Sequence, residues 1–404
     1  MNWLAIISFA VVVAGCTSST GKNSERVEDH TLQSVEQQLS LLLATAEEAN
    51  KNPRTIDEDG EIHWATKAPT SNRLGGFDWT LGFFPGSCWY MYEYTQDEKW
   101  KDAAIKFQSL HENFKDLTGS HDMGFVFNCS YGNAYRLTKE DKYKEVMIDA
   151  GDALIQRFNP TVGCIQSWDV DKGWQATRGW RYPVIIDNMM NLELLFELTK
   201  LTGDSKYKEV AISHADKTLQ NHFRADYSSY HVVDYDPETG AVRKKNTAQG
   251  YAHESAWARG QAWGLYGYVV CYRYTKDPRY LEQAIKIADF IQSFDGTPKD
   301  GIPYWDYQAP EIPNEPRDVS AAAITASALV ELNGYTKDAY KPFENKLMTS
   351  LASPAYTAKA GEIHNFVLKH SVGSIPHNNE IDVPLNYADY YYIEALVRQY
   401  ELSK

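Results

Sequence analysis

"LTGDSKYKEVAISHADKTLQNHF", from Leu201 to Phe223, is half of a unit that the chain repeats. Asp204 stands two residues after Thr202, and the aromatic Tyr207 follows. Beyond it, apolar residues recur at three- and four-residue spacing, the signature of a helix with one buried face. The acid occupies the position of a helix N-cap. The pattern opens again at Tyr94 ("YTQDEKWKDAAIKFQSLHENF"), at Leu137 ("LTKEDKYKEVMIDAGDALIQRF") and at Tyr274 ("YTKDPRYLEQAIKIADFIQSF"), with a weaker copy at Tyr335 ("YTKDAYKPFENKL"). Each copy follows another apolar helical stretch that ends at the Tyr or Leu. The unit is therefore a helix, a short turn with a capping acid, and a second helix, and its recurrence means an array of helical hairpins.

Twelve helices are expected, starting near residues 31, 82, 98, 124, 141, 187, 204, 257, 278, 318, 336 and 386. Six hairpins fit an all-α architecture, a closed (α/α)6 toroid, better than an open solenoid, because a closed ring needs no capping repeats. Alternate helices open on unusual stretches: "DWTLGFFPGSCWY", "HDMGFVFNCSYGNAY", "IIDNMMNLELL", "SAWARGQAWGLYGY", "RDVSAAAITASAL" and "NYADYYYIEAL". Glycine and aromatics cluster there, each with one or two polar groups. These read as the inner helices, with their N-terminal ends around one mouth, where a site belongs. The segments 159–184 and 224–254 read as loops that wall a pocket, and "DYDPETG" at Asp234–Gly240 reads as a hairpin turn.

The chain has 404 residues, of which 43% are hydrophobic and 13% aromatic, enough for a large core. Its formal charge of −14 argues against nucleic acid as a partner, yet leaves room for an anionic small ligand in a locally positive pocket. The first residues, "MNWLAIISFAVVVAGCTSST", are too short an apolar run for a membrane span and read as a secretory leader. Val13-Ala14-Gly15-Cys16 resembles a bacterial lipobox with Cys16 as the lipidated residue. The expected organisation is a signal peptide over 1–15, a tether over 16–30 and one catalytic domain over 31–404. That implies a membrane-anchored lipoprotein, periplasmic or associated with the outer membrane. Cys88, Cys129, Cys164 and Cys271 show no metal-ligand spacing. Two disulfides are arithmetically possible, but buried free thiols are the preferred reading. No metal or cofactor motif is present, and none is expected.

Asp187 lies in an apolar run, after Val184-Ile185-Ile186 and before Met189-Met190. An ionised carboxylate is costly to bury without partners. At the start of an inner helix it would face the cavity, and Asp122 would do so from the preceding inner helix. Burial and mutual repulsion would raise one pKa, leaving a protonated carboxyl fit to act as a general acid. Either acid could instead simply cap its helix. Arg259, between Trp257 and Trp263, suits a planar carboxylate or a structural ion pair. His231 could polarise a substrate oxygen or bond within its loop. His121 and Gln249 are further polar candidates. Trp79, Trp168, Trp174, Trp180 and Trp263 offer faces for sugar rings.

Together, "GFFPG", "HDMGF", "IIDNMMNLELL", "TAQGYAHESAWARGQAW" and "YADYYYIEAL" resemble the unsaturated glucuronyl hydrolases, glycoside hydrolase family 88, from about Arg73 to the C-terminus. The resemblance implies a six-hairpin α/α barrel. It makes Asp187 the acid that donates the proton and activates water, and Asp122 the second essential carboxylate. It places His121, Trp168, His231, Gln249, Arg259 and Trp263 at the substrate. The implied reaction protonates C4 of a 4,5-unsaturated uronic acid, the end group left by polysaccharide lyases. Water adds at C5, and the hemiketal opens to release the partner sugar. The family's Ser-x-x-Ser-x-Lys pattern for sulfated glycosaminoglycan fragments falls on Ser371 and Ser374, with Pro376 in place of the lysine. Other readings are a hydrolase for unsaturated rhamnogalacturonyl or other uronyl products, and a non-catalytic glycan-binding lipoprotein.

Overall fold

The computed structural model describes residues 20–67 and 73–404. The expected leader and Cys16 lie outside the described residues.

Each Thr-x-Asp junction is a combined stop and start signal. Thr95, Thr202 and Thr275 donate from Oγ to the carbonyl four residues back at 2.7 Å. The same oxygens accept the N–H of Asp97, Asp204 and Asp277 at 3.1 Å. Each carboxylate then accepts the N–H two residues further on at 2.9 Å and caps the next helix. The middle residues, Gln96, Gly203 and Lys276, take the left-handed conformation that ends a helix and turns the chain. At the Leu137 copy Glu140 replaces the aspartate, and its longer side chain makes no cap.

Twelve α-helices result among the described residues: α1 (Thr20–Ala49), α2 (Phe83–Thr95), α3 (Glu98–Ser109), α4 (Asn133–Thr138), α5 (Asp141–Ile155), α6 (Leu192–Thr202), α7 (Ser205–Asn221), α8 (Ala258–Thr275), α9 (Pro278–Ser293), α10 (Val319–Thr336), α11 (Lys341–Leu351) and α12 (Asn386–Ser403). A π-helix over Gly124–Gly132 leads into α4. The inner ring runs α2, π-helix and α4, α6, α8, α10, α12 and back to α2, each packed on the next. Their partners α3, α5, α7, α9, α11 and α1 form the outer ring. The burial patterns agree with this division. Helix α8 is buried without a break from Ala258 to Cys271. Outer α9 buries Tyr280, Gln283, Ala284, Ile287, Ala288 and Ile291, one stripe at helical spacing. The chain is the all-α toroid that the repeat predicts.

Three boundaries differ from expectation. Helix α1 is already helical at Thr20, inside the expected tether, because 24–28 (Ser-Glu-Arg-Val-Glu) carries good helix formers and no breaker. Among its described side chains the first buried one is Leu32, near the expected start. Helix α11 starts at Lys341 rather than near 336, because Thr336 still belongs to α10. The stretch at Asp187 is a 3-10 turn, Ile186–Asn191, before α6 proper.

Short antiparallel strands fill the loops at the mouth. They are β1 (Pro53–Ile56) with β2 (Ile62–Trp64), β3 (Phe158–Asn159) with β4 (Cys164–Ile165), the sheet β5 (Pro183–Ile185), β6 (Val232–Tyr235) and β7 (Val242–Asn246), and the hairpin β8 (Ser371–Ser374) with β9 (Asn379–Val383). The turn joining β6 to β7 is the "DYDPETG" turn. Cys88, Cys129, Cys164 and Cys271 are buried free thiols.

At the opposite end, the C-terminal halves of the inner helices surround a cavity of about 1050 Å³. Its charges close on one another. Arg273 bridges Glu193 and Glu331. Glu394 accepts from Tyr90 at 2.7 Å, Tyr266 at 2.9 Å, Ser327 at 2.6 Å and Arg398 at 3.0 Å. Removing such a buried hub strands its donors. Glu394→Ala should therefore cost about 3 kcal/mol or more, against about 1 kcal/mol for the cap variant Asp204→Ala. Urea unfolding of both variants checks the order, and equal losses would contradict the hub assignment.

Candidate active site

The β5–β6 pairing brings the first two polar groups together. Ile185 faces Val232 in the sheet, and the Ile186 N–H continues the ladder to the His231 carbonyl at 3.0 Å. Asp187, the next residue, thus lies beside His231, with Oδ2 3.6 Å from Nε2. The Ala248 and Gln249 N–H groups both donate to His231 Nδ1 at 3.1 Å. Nδ1 is therefore an acceptor, and the neutral ring carries its proton on Nε2, facing Asp187. Burial, reinforced by the Arg259 charge, pushes the His231 pKa well below its usual range.

Asp187 has a side chain 13% exposed, and its Oδ2 has no hydrogen-bond partner. Burial raises its pKa to about 7. Arg259 opposes that rise by its charge. Asp122 adds to the rise, though less than burial does. Desolvation rather than carboxylate repulsion thus dominates, in contrast to a dyad built on like charge.

Asp122 sits in the turn before the π-helix. Gly124 makes the approach to Asp187 possible: a Cβ there would lie 2.5 Å from the Asn191 Cα, in the same 3-10 turn as Asp187. Asn191 Oδ1 also accepts the Phe125 N–H at 3.0 Å. Asp122 Oδ2 accepts from Ser120 Oγ at 2.9 Å, and its Oδ1 lies 3.3 Å from His121 Nε2. His121 Nδ1 is 2.7 Å from the Ser167 carbonyl, which can only accept. The ring proton is therefore on Nδ1, and the Nε2 lone pair faces a carboxylate oxygen. Burial lowers the His121 pKa, against the smaller opposing pull of the Asp122 charge.

The remaining residues form walls and a roof. Trp263 is fully buried among Phe125 and Tyr391, and its Nε1 has no partner. Trp168 packs its edge on His231 at 5.9 Å between ring centroids and stacks on Trp180 at 5.6 Å. Trp174 reaches across to His377 at 4.9 Å. The hairpin β8–β9 brings in Ser371, whose buried Oγ has no partner, and Ser374, whose Oγ bonds His377 Nδ1 at 2.7 Å. Gln249 donates to the Gly373 carbonyl at 3.4 Å.

Arg259 makes the structural ion pair, one of the two roles its sequence setting suits. It is 1% exposed, and its guanidinium donates to Asp318 at 3.1 Å, to the Val372 carbonyl, and to the Gly373 carbonyl at 2.6 Å. Two carbonyls turned inward at the hairpin and a buried carboxylate take three of its five N–H donors. Arg259 clamps the hairpin over the site, and its charge acts on Asp187 from there.

Two contributors carry no signal of their own in the sequence. Ser167 holds His121 through its carbonyl and accepts the Ile185 N–H on Oγ at 2.9 Å, so one serine positions both acids' neighbours. Tyr387 has an unpartnered buried hydroxyl, and its ring lies 4.9 Å from Trp79 and 5.5 Å from the Arg259 guanidinium. Among the described residues no three His, Cys, Asp or Glu side chains converge as a metal site.

Comparison with known proteins gives the same answer for family. The model for Glycosyl Hydrolase Family 88 matches residues 49–401. An unsaturated glucuronyl hydrolase of Formosa agariphila is 44% identical over 391 residues, 96% of this chain and 94% of its own length. The crystal structure of an unsaturated glucuronyl hydrolase specific for heparin superposes with a TM-score of 0.85 at 43% identity, covering 93% of this chain and 98% of that one. A mutant of the Streptococcus agalactiae unsaturated glucuronyl hydrolase, complexed with dGlcA-GalNAc6S, gives 0.76 at 29% identity, covering 93% and 92%. The chain belongs to glycosyl hydrolase family 88.

A carboxyl whose folded pKa is raised binds its proton more tightly in the native state. The stability it contributes is present at low pH and is lost as pH rises from about 4 through about 7. Asp187→Asn should therefore gain stability relative to wild type as pH rises from 5 to 8, by about 3 kcal/mol. Thermal unfolding across that range tests it; a pH-independent difference would mean that Asp187 is ionised throughout.

Proposed function

We propose that this family 88 chain is an unsaturated glucuronyl hydrolase acting on the products of glycosaminoglycan lyases. The observation that carries the reading is the state of Asp187: a buried carboxyl near pKa 7, with one oxygen unpartnered, at the mouth of a closed helical ring. Hydration of a vinyl ether needs one proton delivered to carbon, and so a carboxyl that is still protonated near neutrality. The substrate's own carboxylate would hold that proton more firmly still.

In this reading Asp187 transfers its proton to C4. The positive charge that develops at C5 and the ring oxygen is met by water. The Asp187 carboxylate takes the proton that this water loses, so the acid is restored. The C5 hemiketal then opens, and the partner sugar leaves. His231 keeps Nε2–H beside the reacting centre and, being neutral, donates without competing for the proton. The His121–Asp122 pair orients the uronate hydroxyls. Trp168, Trp180 and Trp263 supply apolar faces for the rings.

The unsaturated uronate absorbs ultraviolet light, and hydration abolishes the absorbance. Wild type should bleach unsaturated glycosaminoglycan disaccharides, and Asp187→Asn should lower kcat by about 10³-fold or more while binding persists. The wild-type kcat/KM should fall above about pH 7, as Asp187 of the free enzyme loses its proton, and kcat should fall only at higher pH. Binding without bleaching would favour a glycan-binding role, and bleaching only of rhamnogalacturonyl fragments would move the substrate class.

We also propose anchorage through a lipid on Cys16, on the strength of the lipobox-like Val13–Cys16 run. Cys16→Ala should shift the protein from the membrane to the soluble fraction of cells; unchanged fractionation would exclude the anchor.

A further inference from the structure

Arg178 lies on the segment between Trp168 and Trp180, which roofs the site, and it differs from the other arginines. Arg54, Arg136, Arg157, Arg181, Arg224, Arg243, Arg259, Arg273, Arg279, Arg317 and Arg398 all form ion pairs; among the described side chains Arg178 does not. Its guanidinium rests on Trp174 at 5.3 Å and on Trp180 at 5.6 Å from the ring centroids. Both rings pack against Trp168, which touches His231, which stands beside Asp187. The Arg178 charge also contributes to the lowered pKa of His231 and of His377. Exposed Lys244 extends Nζ toward Gly179, the next residue, again without an ion pair. A chain of net charge −14 thus leaves cations uncompensated at the rim of its site.

We propose that Arg178 is a specificity-determining residue that binds a sulfate ester on the sugar behind the unsaturated uronate. The assignment rests on the functional reading above. Two indoles, set 78° apart, flank the guanidinium and restrict where its fork can point, which favours binding a tetrahedral oxyanion. Pro376 offers no charge from the hairpin side, and Arg178 supplies one from the opposite loop, across the contact between Trp174 and His377.

The test compares wild type, Arg178→Ala and Arg178→Lys on one unsaturated disaccharide with and without its sulfate, following ultraviolet bleaching. The ratio of kcat/KM, sulfated over unsulfated, should fall about ten-fold or more in Arg178→Ala, mainly through KM, with Arg178→Lys between. Added salt should lower the wild-type ratio and leave that of Arg178→Ala nearly flat. A ratio within two-fold of wild type, or equal losses on both substrates, overturns the assignment. Calorimetric binding in an Asp187→Asn background separates this inference from the reading beneath it. A wild type that bleaches neither substrate, with sulfate-dependent binding that needs Arg178, defeats only the proposed activity. Binding indifferent to Arg178 defeats the inference.

Discussion

Helix α12 packs on α2, and Tyr90 donates to Glu394 across 304 residues of sequence. That contact closes the ring. An open array would leave two unpaired helix faces and no enclosed cavity. Closure gathers the N-terminal ends of all the inner helices at one mouth and their C-terminal halves at the other. The far mouth is lined by a network of paired charges. The near mouth is left to loops, and the chemistry gathers there.

The near mouth is poorly satisfied by ordinary standards. His121 Nε2, Asp187 Oδ2, His231 Nε2, Trp263 Nε1 and Ser371 Oγ are all buried without hydrogen-bond partners. Each such group costs about 1–3 kcal/mol, and together they are comparable with the net stability of a typical domain, about 5–15 kcal/mol. The rest of the ring must offset this. The long runs of buried side chains in α8, α10 and α12 do so, as do the capped turns between hairpins. A site that is unsatisfied when empty can be satisfied by a bound ligand, and that difference drives binding.

Most helix starts were legible in the sequence, because Thr-x-Asp encodes a stop and a cap within three residues. Helix α11 was misplaced, because "YTKDAYKPFENKL" follows the motif without its capping geometry. Asp187 was legible as a carboxyl in an apolar run, and its raised pKa follows from that setting. The clamp role of Arg259 was not, since its acceptors are carbonyls of a hairpin more than a hundred residues away. Ser167 acts largely through its backbone carbonyl, which any residue could offer. Tyr387 is one tyrosine among several in α12, and only the ring geometry distinguishes it.

The π-helix after Asp122 has a consequence for how the chain tolerates change. A π-helix carries more residues per turn than an α-helix, so Gly124–Gly132 holds a surplus that ordinary helix geometry would expel. Each residue advances an α-helix by about 100°. Losing one residue within that stretch would relax the backbone into a regular α-helix. The narrower turns would redirect the side chains and carbonyls of the stretch itself, which lies between Asp122 and α4. Chain length across this span, more than the identity of any one side chain in it, is therefore what keeps the wide turns in place.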